Sequence, residues 1–207
     1  MAQETFFNLP GDKRVRIINA ALSAFSQKGY YQTSVEEIAK NAGVSKGSMY
    51  QYFTGKKGLF LFIVEYGADL KVQYFRNRAL QGAYTNFFQQ IRELLASGLS
   101  YSKDHPYLSR LYQSIHAGIP KDIEKVIRRI TEEKGRSQYR ELIYQAIAHK
   151  DIRDDLDPEF LSLYLYTLMN QFGRWIITDS NGHTDIQKAI HNFISLLRKG
   201  LEKRNTL

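Results

Sequence analysis

A short run near position 50 carries the groups best suited to binding another molecule. Residues 46–53 read KGSMYQYF. On a helix, which advances by about 100° per residue, Met49 and Phe53 fall together on one side. The opposite side carries hydrogen-bonding groups that can pair with the edges of DNA bases, and a glycine that allows a close backbone approach. That outward side consists of Gly47, Ser48 and Gln51. The flanking positions, where phosphates would lie, are Lys46, Tyr50 and Tyr52.

The surrounding residues predict a helix-turn-helix over residues 33–53, in which two short helices and a tight turn present the second helix outward. Ser34, with Glu37 three residues later, forms a capping-box pattern that predicts a helix start. Gly43 supplies the turn, and Ser45 is positioned to cap the second helix. The inward positions of the first helix are Val35, Ile38, Ala39 and Ala42.

A longer helix is predicted before this motif, because four apolar residues recur at helical spacing. Lys28-Gly29 is expected to end it, since glycine accepts the left-handed conformation found at helix ends. The predicted inner stripe of this helix is Val15, Ile18, Leu22 and Phe25.

The charge distribution favours a nucleic acid as the partner. The formal net charge is +8, and residues 43–58 contain three lysines and no acidic residue. Such a local basic excess favours a polyanion, here double-stranded DNA. Residues 151–159 are instead rich in acidic side chains, but they lack the spacing of a calcium loop and are interpreted as a solvated turn and cap.

The run from Phe25 to Phe60 resembles the DNA-binding head of the TetR family of bacterial regulators. Gly58 departs from the acidic residue that family members often carry in this neighbourhood. The resemblance implies an all-helical homodimer with a ligand-binding body, which represses transcription until a small molecule releases it from a palindromic operator. The matching features are Phe25, Gly29-Tyr30, Thr33-Ser34-Val35, Ile38-Ala39, Ala42-Gly43-Val44-Ser45-Lys46-Gly47-Ser48, Tyr50, Tyr52-Phe53, Lys56 and Leu59-Phe60.

The contact positions of the family carry over onto individual residues of this sequence. Base contacts fall on Gly47, Ser48 and Gln51. Phosphate contacts fall on Thr33, Ser34, Lys46, Tyr50, Tyr52 and Lys56. Ser45, the expected helix cap, completes the candidate DNA-binding set.

The whole chain is predicted to be all-α. A three-helix DNA-binding head is expected at residues 1–55, followed by a larger helical ligand-binding and dimerisation body at residues 56–207. The helix from Lys56 is interpreted as the only continuous element joining them, and therefore as the lever between ligand and DNA. Helices are expected near 56–76, 83–103, 105–116, 122–150, 157–178 and 185–203, with a loop at 179–184. The polar stretch 131–138 leaves open whether 122–150 is one bent helix or two.

The last two predicted helices carry apolar residues on more than one face. Residues 160–177 are apolar nearly all round, and a helix without a polar face is buried on two sides. A homodimer built on these two helices is expected, as the resemblance also implies. In the alternative, the second face only closes the core of its own subunit.

Helical segments that mix aromatic and polar residues are the candidates for a ligand pocket, because such pockets are mostly apolar with a few placed polar groups. Plain core packing is the alternative for each residue taken singly. The 14 Tyr and 12 Phe favour an apolar or aromatic effector. The candidates are Tyr84, Phe88, Tyr101, Tyr107, Leu111, Tyr112, Gln113, His116, Tyr144, Met169, Asn170, Phe172 and Trp175.

Other functions are disfavoured by what the sequence lacks. It has no Cys, which excludes disulfides and thiol catalysis. The five histidines lack metal-site spacing, and no nucleophile elbow, P-loop or dinucleotide motif occurs, so no enzyme, metal or cofactor is expected. Without a signal or membrane-spanning run, a cytoplasmic protein with no membrane partner is expected. Two alternatives stay open. One is a DNA-binding regulator without a small-molecule ligand, controlled by a protein partner or acting as an activator; the other is a helical enzyme or carrier with the head as scaffold.

Overall fold

The computed structural model describes residues 2–81, 86–178 and 185–202, and these ranges contain ten α-helices. The predicted all-α fold is confirmed. Within the same ranges the only β-pairing consists of two isolated bridges, Ala2 with Phe53 and Ile152 with Glu202. The helices are α1 (Glu4–Phe7), α2 (Gly11–Gln32), α3 (Val35–Ala42), α4 (Lys46–Tyr52), α5 (Gly55–Gln81), α6 (Phe87–Asp104), α7 (Pro106–Ala117), α8 (Lys121–Ala148), α9 (Pro158–Thr178) and α10 (Ile186–Leu201).

Several helices begin where the local sequence predicts. Asp157 caps α9, because its carboxylate accepts hydrogen bonds from the backbone N–H of Glu159 at 3.1 Å and of Phe160 at 3.3 Å. The acid-rich segment also caps a second helix: the Asp151 carboxylate accepts from Phe87 N–H at 2.8 Å, at the start of α6. The predicted loop at 179–184 lies outside the described residues.

The polar stretch at 131–138 does not divide its helix, since α8 is one helix from Lys121 to Ala148. A close contact between two helices explains why a glycine lies near the centre of this stretch. Gly135 faces the ring of Tyr166 on α9, and a Cβ built on Gly135 would overlap that ring. The interruption of the apolar pattern therefore marks a close helix approach instead of a break.

The first long helix differs from its prediction in the residues of its buried face. Val15 is 55% exposed, and the buried side of α2 uses Ile17 with three alanines, at 20, 21 and 24, as well as the predicted Leu22 and Phe25. The predicted stripe included only large apolar residues, whereas alanine also occupies buried positions where helices pack closely. Gly29 interrupts the regular helix where the sequence predicts an end, because its φ of 68° and ψ of −178° are not helical; a short second helical segment then runs to Gln32.

The described chain packs as two compact units, which we call the first and second unit. The first contains the described residues through Leu70 together with Asp104–Thr131, and the second contains Lys71–Lys103 and the described residues from Glu132. This division does not follow the predicted boundary after residue 55. The start of α5 belongs to the head core, because Phe60 is fully buried with its ring 4.9 Å from that of Phe25. The functional division stays a prediction.

Two further features position the elements within each unit. In the first unit α2 packs against α3 and α7, and a Cβ on Gly67 of α5 would lie 2.7 Å from the side chain of Leu108 on α7. In the second unit α6, α8, α9 and α10 share one apolar core. Both α5 and α8 divide between the units. Among the described helices, none is long and apolar enough to cross a membrane.

Candidate nucleic-acid interface

The turn between α3 and α4 is built from the local contacts that the sequence predicts. Gly43 adopts the left-handed conformation, with φ 67° and ψ 38°, and its N–H reaches Lys40 O at 3.2 Å. The Ser34 hydroxyl accepts from Glu37 N–H at 3.1 Å and caps α3. The Ser45 hydroxyl accepts from Ser48 N–H at 3.0 Å and caps α4. The two caps and the glycine fix the direction in which α4 leaves the turn.

Apart from Tyr52, the faces of α4 divide as the helical wheel predicts. Met49 and Phe53 are buried on the inner side. Gly47 and Gln51 are exposed, and Tyr50 is 53% exposed. Ser48 is half-buried, and its hydroxyl lies 2.8 Å from that of Ser45. The outward surface of α4 therefore presents an amide, a phenol and open backbone.

Lys46 is joined to an acidic partner that sequence reasoning missed. Its ammonium donates to the Glu36 carboxylate of α3 at 2.8 Å, with both side chains largely exposed. The hydrogen bond from Lys46 holds the pKa of Glu36 below its usual range, and the same bond raises the pKa of Lys46. The absence of acidic residues from the 43–58 segment did not reveal this pair, because the turn brings α3 beside α4.

Two predicted phosphate contacts are instead buried side chains. Thr33 is 2% exposed, and its hydroxyl donates to Gly29 O at 2.7 Å and to Ala24 O at 3.2 Å. Tyr52 is 7% exposed and belongs to the inner side of α4. Burial thus removes the Thr33 hydroxyl and the Tyr52 ring from the exposed contact surface, a correction that follows from the packing of α2 and α4.

Lys56 lies beside the motif but is engaged within the protein. Its ammonium donates to Thr33 O at 3.0 Å and Tyr31 O at 3.1 Å, and lies 4.7 Å from the centre of the Tyr30 ring. These contacts hold the end of α2 against the start of α5. The next residue, Lys57, forms an ion pair with Asp122 at the start of α8, which lowers the pKa of that carboxyl.

The predicted pocket residues that the structure describes divide between the two units. Those in the first unit are Tyr107, Leu111, Tyr112, Gln113 and His116, and those in the second are Phe88, Tyr101, Tyr144, Met169, Asn170, Phe172 and Trp175. Leu111 is fully buried, and Phe88 and Met169 belong to the apolar core of the second unit, with Phe172 packed against it. Tyr107, Tyr144 and Trp175 are exposed, and Tyr84 lies outside the described residues.

A groove of about 440 Å³ lies on the second unit between α6 and α10. Of the predicted pocket residues that the structure describes, Phe88 alone lines this groove. The Arg198 guanidinium lies 4.6 Å from the Phe88 ring centre and donates to the Glu202 carboxylate at 2.7 Å. The lining is more polar than predicted for a ligand site, and it consists of Asn86, Phe88, Gln89, Arg92, His191, Ile194, Ser195 and Arg198.

Comparison with known proteins places this geometry in a family. Residues 17–63 match the family model described as bacterial regulatory proteins, tetR family. The probable HTH-type transcriptional regulator YttP of Bacillus subtilis is 30% identical over 173 residues, covering 73% of this chain and 81% of YttP. The HTH-type transcriptional regulator RutR of Escherichia coli is 33% identical over 111 residues, covering 52% of this chain. That match spans 50% of RutR, so the similarity covers half the length of this relative.

A solved structure extends the likeness to the rest of the chain. The transcriptional regulator FadR from Bacillus subtilis, in complex with stearoyl-CoA, has a TM-score of 0.72 at 19% identity. The match covers 90% of this chain and 98% of that one, which shows a common fold. With the helix-turn-helix geometry, the family model and the similarity to YttP in agreement, the chain belongs to the TetR family of bacterial DNA-binding transcriptional regulators.

Proposed function

We propose that this protein is a homodimeric repressor that binds a palindromic operator through α4 and leaves it when a small-molecule effector binds. The exposed face of α4 is the observation that carries the proposal. Gln51 and Gly47 lie on the side opposite the buried Met49, so that they are free to enter a major groove. A glutamine amide can pair with both hydrogen-bonding groups of an adenine edge.

The phosphate contacts are assigned to groups around this face. Ser34 and Tyr50 are exposed, and Lys46 exchanges its Glu36 partner for a phosphate in the complex. Lys56 uses two of the three N–H donors of its ammonium on Tyr31 and Thr33 carbonyls, which leaves one for a phosphate. These contacts hold the protein on the duplex, whereas Gln51, Ser48 and Gly47 read its sequence.

The dimer is proposed to form through α9 and α10, which carry several large exposed apolar side chains. On α10 Leu196 is 73% exposed. A two-fold dimer presents two recognition helices to half-sites spaced by about one turn of DNA, ~34–36 Å, or a small multiple of it. The exposed apolar residues of α9 are Phe160, Leu163, Tyr164 and Trp175.

The effector is proposed to bind the second unit. A groove of about 440 Å³ falls within the range of small-molecule sites. Arg92, His191 and Arg198 in its lining favour a ligand with an anionic group in addition to any apolar part. Because α5 and α8 contribute to both units, we propose that these two helices carry the effector's influence to the DNA-binding head.

Selection of duplexes from a random pool, followed by titration of the best duplex, tests the proposal. The expected product is a palindrome, and a pool without an enriched sequence would contradict sequence reading by α4. Stearoyl-CoA, the ligand in the FadR structure, is the first effector to test, with binding followed by the fluorescence of the single tryptophan, Trp175. A bound effector should weaken operator binding by about 5- to 150-fold. Effector binding without this change would contradict release.

A further inference from the structure

An N-terminal segment that the sequence analysis did not single out, residues 2–7, packs against the end of α4. Ala2 forms an isolated bridge with Phe53. The N–H of Gln3 donates to Tyr52 O at 2.8 Å, and the Thr5 hydroxyl donates to Gln51 O at 2.7 Å. Three consecutive residues at the end of α4 thus have partners in this segment.

These contacts provide hydrogen-bond donors for backbone carbonyls at the end of α4. The last four carbonyls of any α-helix lack partners within it. In α4, which has only seven residues, Met49 O accepts from Phe53 N–H at 2.9 Å. The carbonyls of Gln51 and Tyr52 accept hydrogen bonds from donors outside the helix, and both donors belong to residues 2–7. A two-turn helix is marginal alone, so its position depends on such tertiary contacts.

Phe6 attaches the segment to the protein. It is buried, and its ring lies 4.8 Å from the ring of Phe53 and 5.0 Å from that of Phe62 on α5. The backbone of residues 3–5 is therefore held in place beside α4. The Thr5 hydroxyl is presented to the carbonyl of Gln51, the residue to which base reading is assigned above.

We infer that residues 2–7 act as a C-terminal cap of the recognition helix, and that Thr5 is a positioning residue for sequence reading by Gln51. The inference rests on the proposed function. Thr5 sets the backbone of Gln51, which directs its side chain toward the base edge. Loss of the Thr5 hydroxyl should therefore reduce binding to the operator and leave sequence-independent binding unchanged, because phosphate contacts carry no sequence information directly.

Thr5→Val tests this inference, since valine keeps the shape of threonine without its hydroxyl. Thr5→Ser keeps the hydroxyl. Thr131→Val is the matched control, because the Thr131 hydroxyl bonds only carbonyls of its own helix, at Ile127 and Arg128. Full-length variants are titrated by fluorescence anisotropy against the best duplex from the random-pool selection and against its scrambled version. Gln51→Ala is titrated in parallel.

Thr5→Val is expected to lower affinity for the selected duplex by about 3- to 10-fold, the usual effect of one hydrogen bond, with the scrambled duplex unchanged. Thr5→Ser should restore most of the affinity, and Thr131→Val should match the unmodified protein. An equal loss on both duplexes, no loss, or the same loss in Thr131→Val overturns the inference. If Gln51→Ala still weakens binding to the selected duplex alone in that case, the proposed base reading stands. If Gln51→Ala has no selective effect, base reading fails and the role of Thr5 fails with it.

Discussion

The ammonium of Lys46, at the start of the recognition helix, lies 2.8 Å from the carboxylate of Glu36 on the preceding helix. A phosphate bound by Lys46 must displace this carboxylate or remain close to its charge. We therefore expect Glu36 to oppose DNA binding at Lys46, the residue to which a phosphate contact is assigned above. Because the hydrogen bond from Lys46 lowers the pKa of Glu36, the carboxylate stays charged at pH values below those at which a glutamate usually takes up a proton.

Glu36→Gln should tighten binding to selected and scrambled duplexes alike, by about two- to fivefold for one exposed charge. The gain should shrink as salt is raised, because screening weakens interactions between exposed charges. Anisotropy titrations at two salt concentrations measure it. Glu124→Gln is the control, since it removes the same charge from an exposed pair with Arg128 on α8. Weaker binding by Glu36→Gln would mean that the pair holds Lys46 ready for contact.

Lys56→Ala should affect both folding and DNA binding. The variant loses two hydrogen bonds to backbone carbonyls and the contact with Tyr30, which should cost about 1–3 kcal/mol in the free energy of unfolding. Affinity for both duplexes should fall equally, and the slope of log affinity against log salt should fall by about one. Urea unfolding and salt titrations measure the two effects. Lys125→Ala, at an exposed position of α8, should change neither. Unchanged stability, or a loss on the selected duplex alone, would contradict the role assigned to Lys56.

Gly135→Ala and Gly173→Ala should change stability in opposite directions. A Cβ at Gly135 overlaps the Tyr166 ring, so the ring or the two helices must shift, at an expected cost of about 1–3 kcal/mol. At Gly173, a helical position with no atom within 4 Å of the added Cβ, alanine should stabilise by about 0.4–1 kcal/mol. Urea unfolding of both variants compares them directly. Equal effects would show that α8 and α9 do not approach at Gly135.

Leu196→Glu should convert a dimer into a monomer, because it places a charge at an exposed apolar position of α10, within the surface proposed to form the interface. Gln187→Glu is the matched control, since nine residues along the same helix place it on the opposite side. Sedimentation at micromolar concentration gives the mass, and circular dichroism verifies that helicity is retained. A monomeric unmodified protein, or a dimeric Leu196→Glu variant, would contradict the proposed interface.

The sequence predicts the helix-turn-helix well because its signals are local. Ser34, Gly43 and Ser45 each act on backbone groups within five residues, and the burial of Met49 follows from helical periodicity. The residues that pack against these elements are distant in the chain, so no local sequence pattern indicates them. The hydrogen bond between Thr5 and Gln51, which are 46 positions apart in the chain, illustrates this limit.

The same limit applies to residues judged one at a time. Thr33 and Tyr52 have polar side chains that suit a phosphate, but both are buried. The Thr33 hydroxyl bonds carbonyls of α2, and the Tyr52 ring lies 6.4 Å from that of Phe6. In the second unit, Phe88 and Met169 match the composition of a pocket and of a core equally well; the fold places both in the core, and Phe88 also lines the groove. Residue type predicts what a side chain can bind, whereas its neighbours decide whether it is accessible.

The proposal that α4 reads base edges is tested most directly by Gln51→Ala on the selected duplex and its scrambled version, titrated at two salt concentrations. Gln51 is exposed and opposite the buried Met49, so the variant should keep its fold. Affinity for the selected duplex should fall by ~1–3 kcal/mol, with little change on the scrambled duplex and an unchanged salt slope. An equal loss on both duplexes would show that Gln51 does not face the bases, and that α4 enters the groove in another orientation.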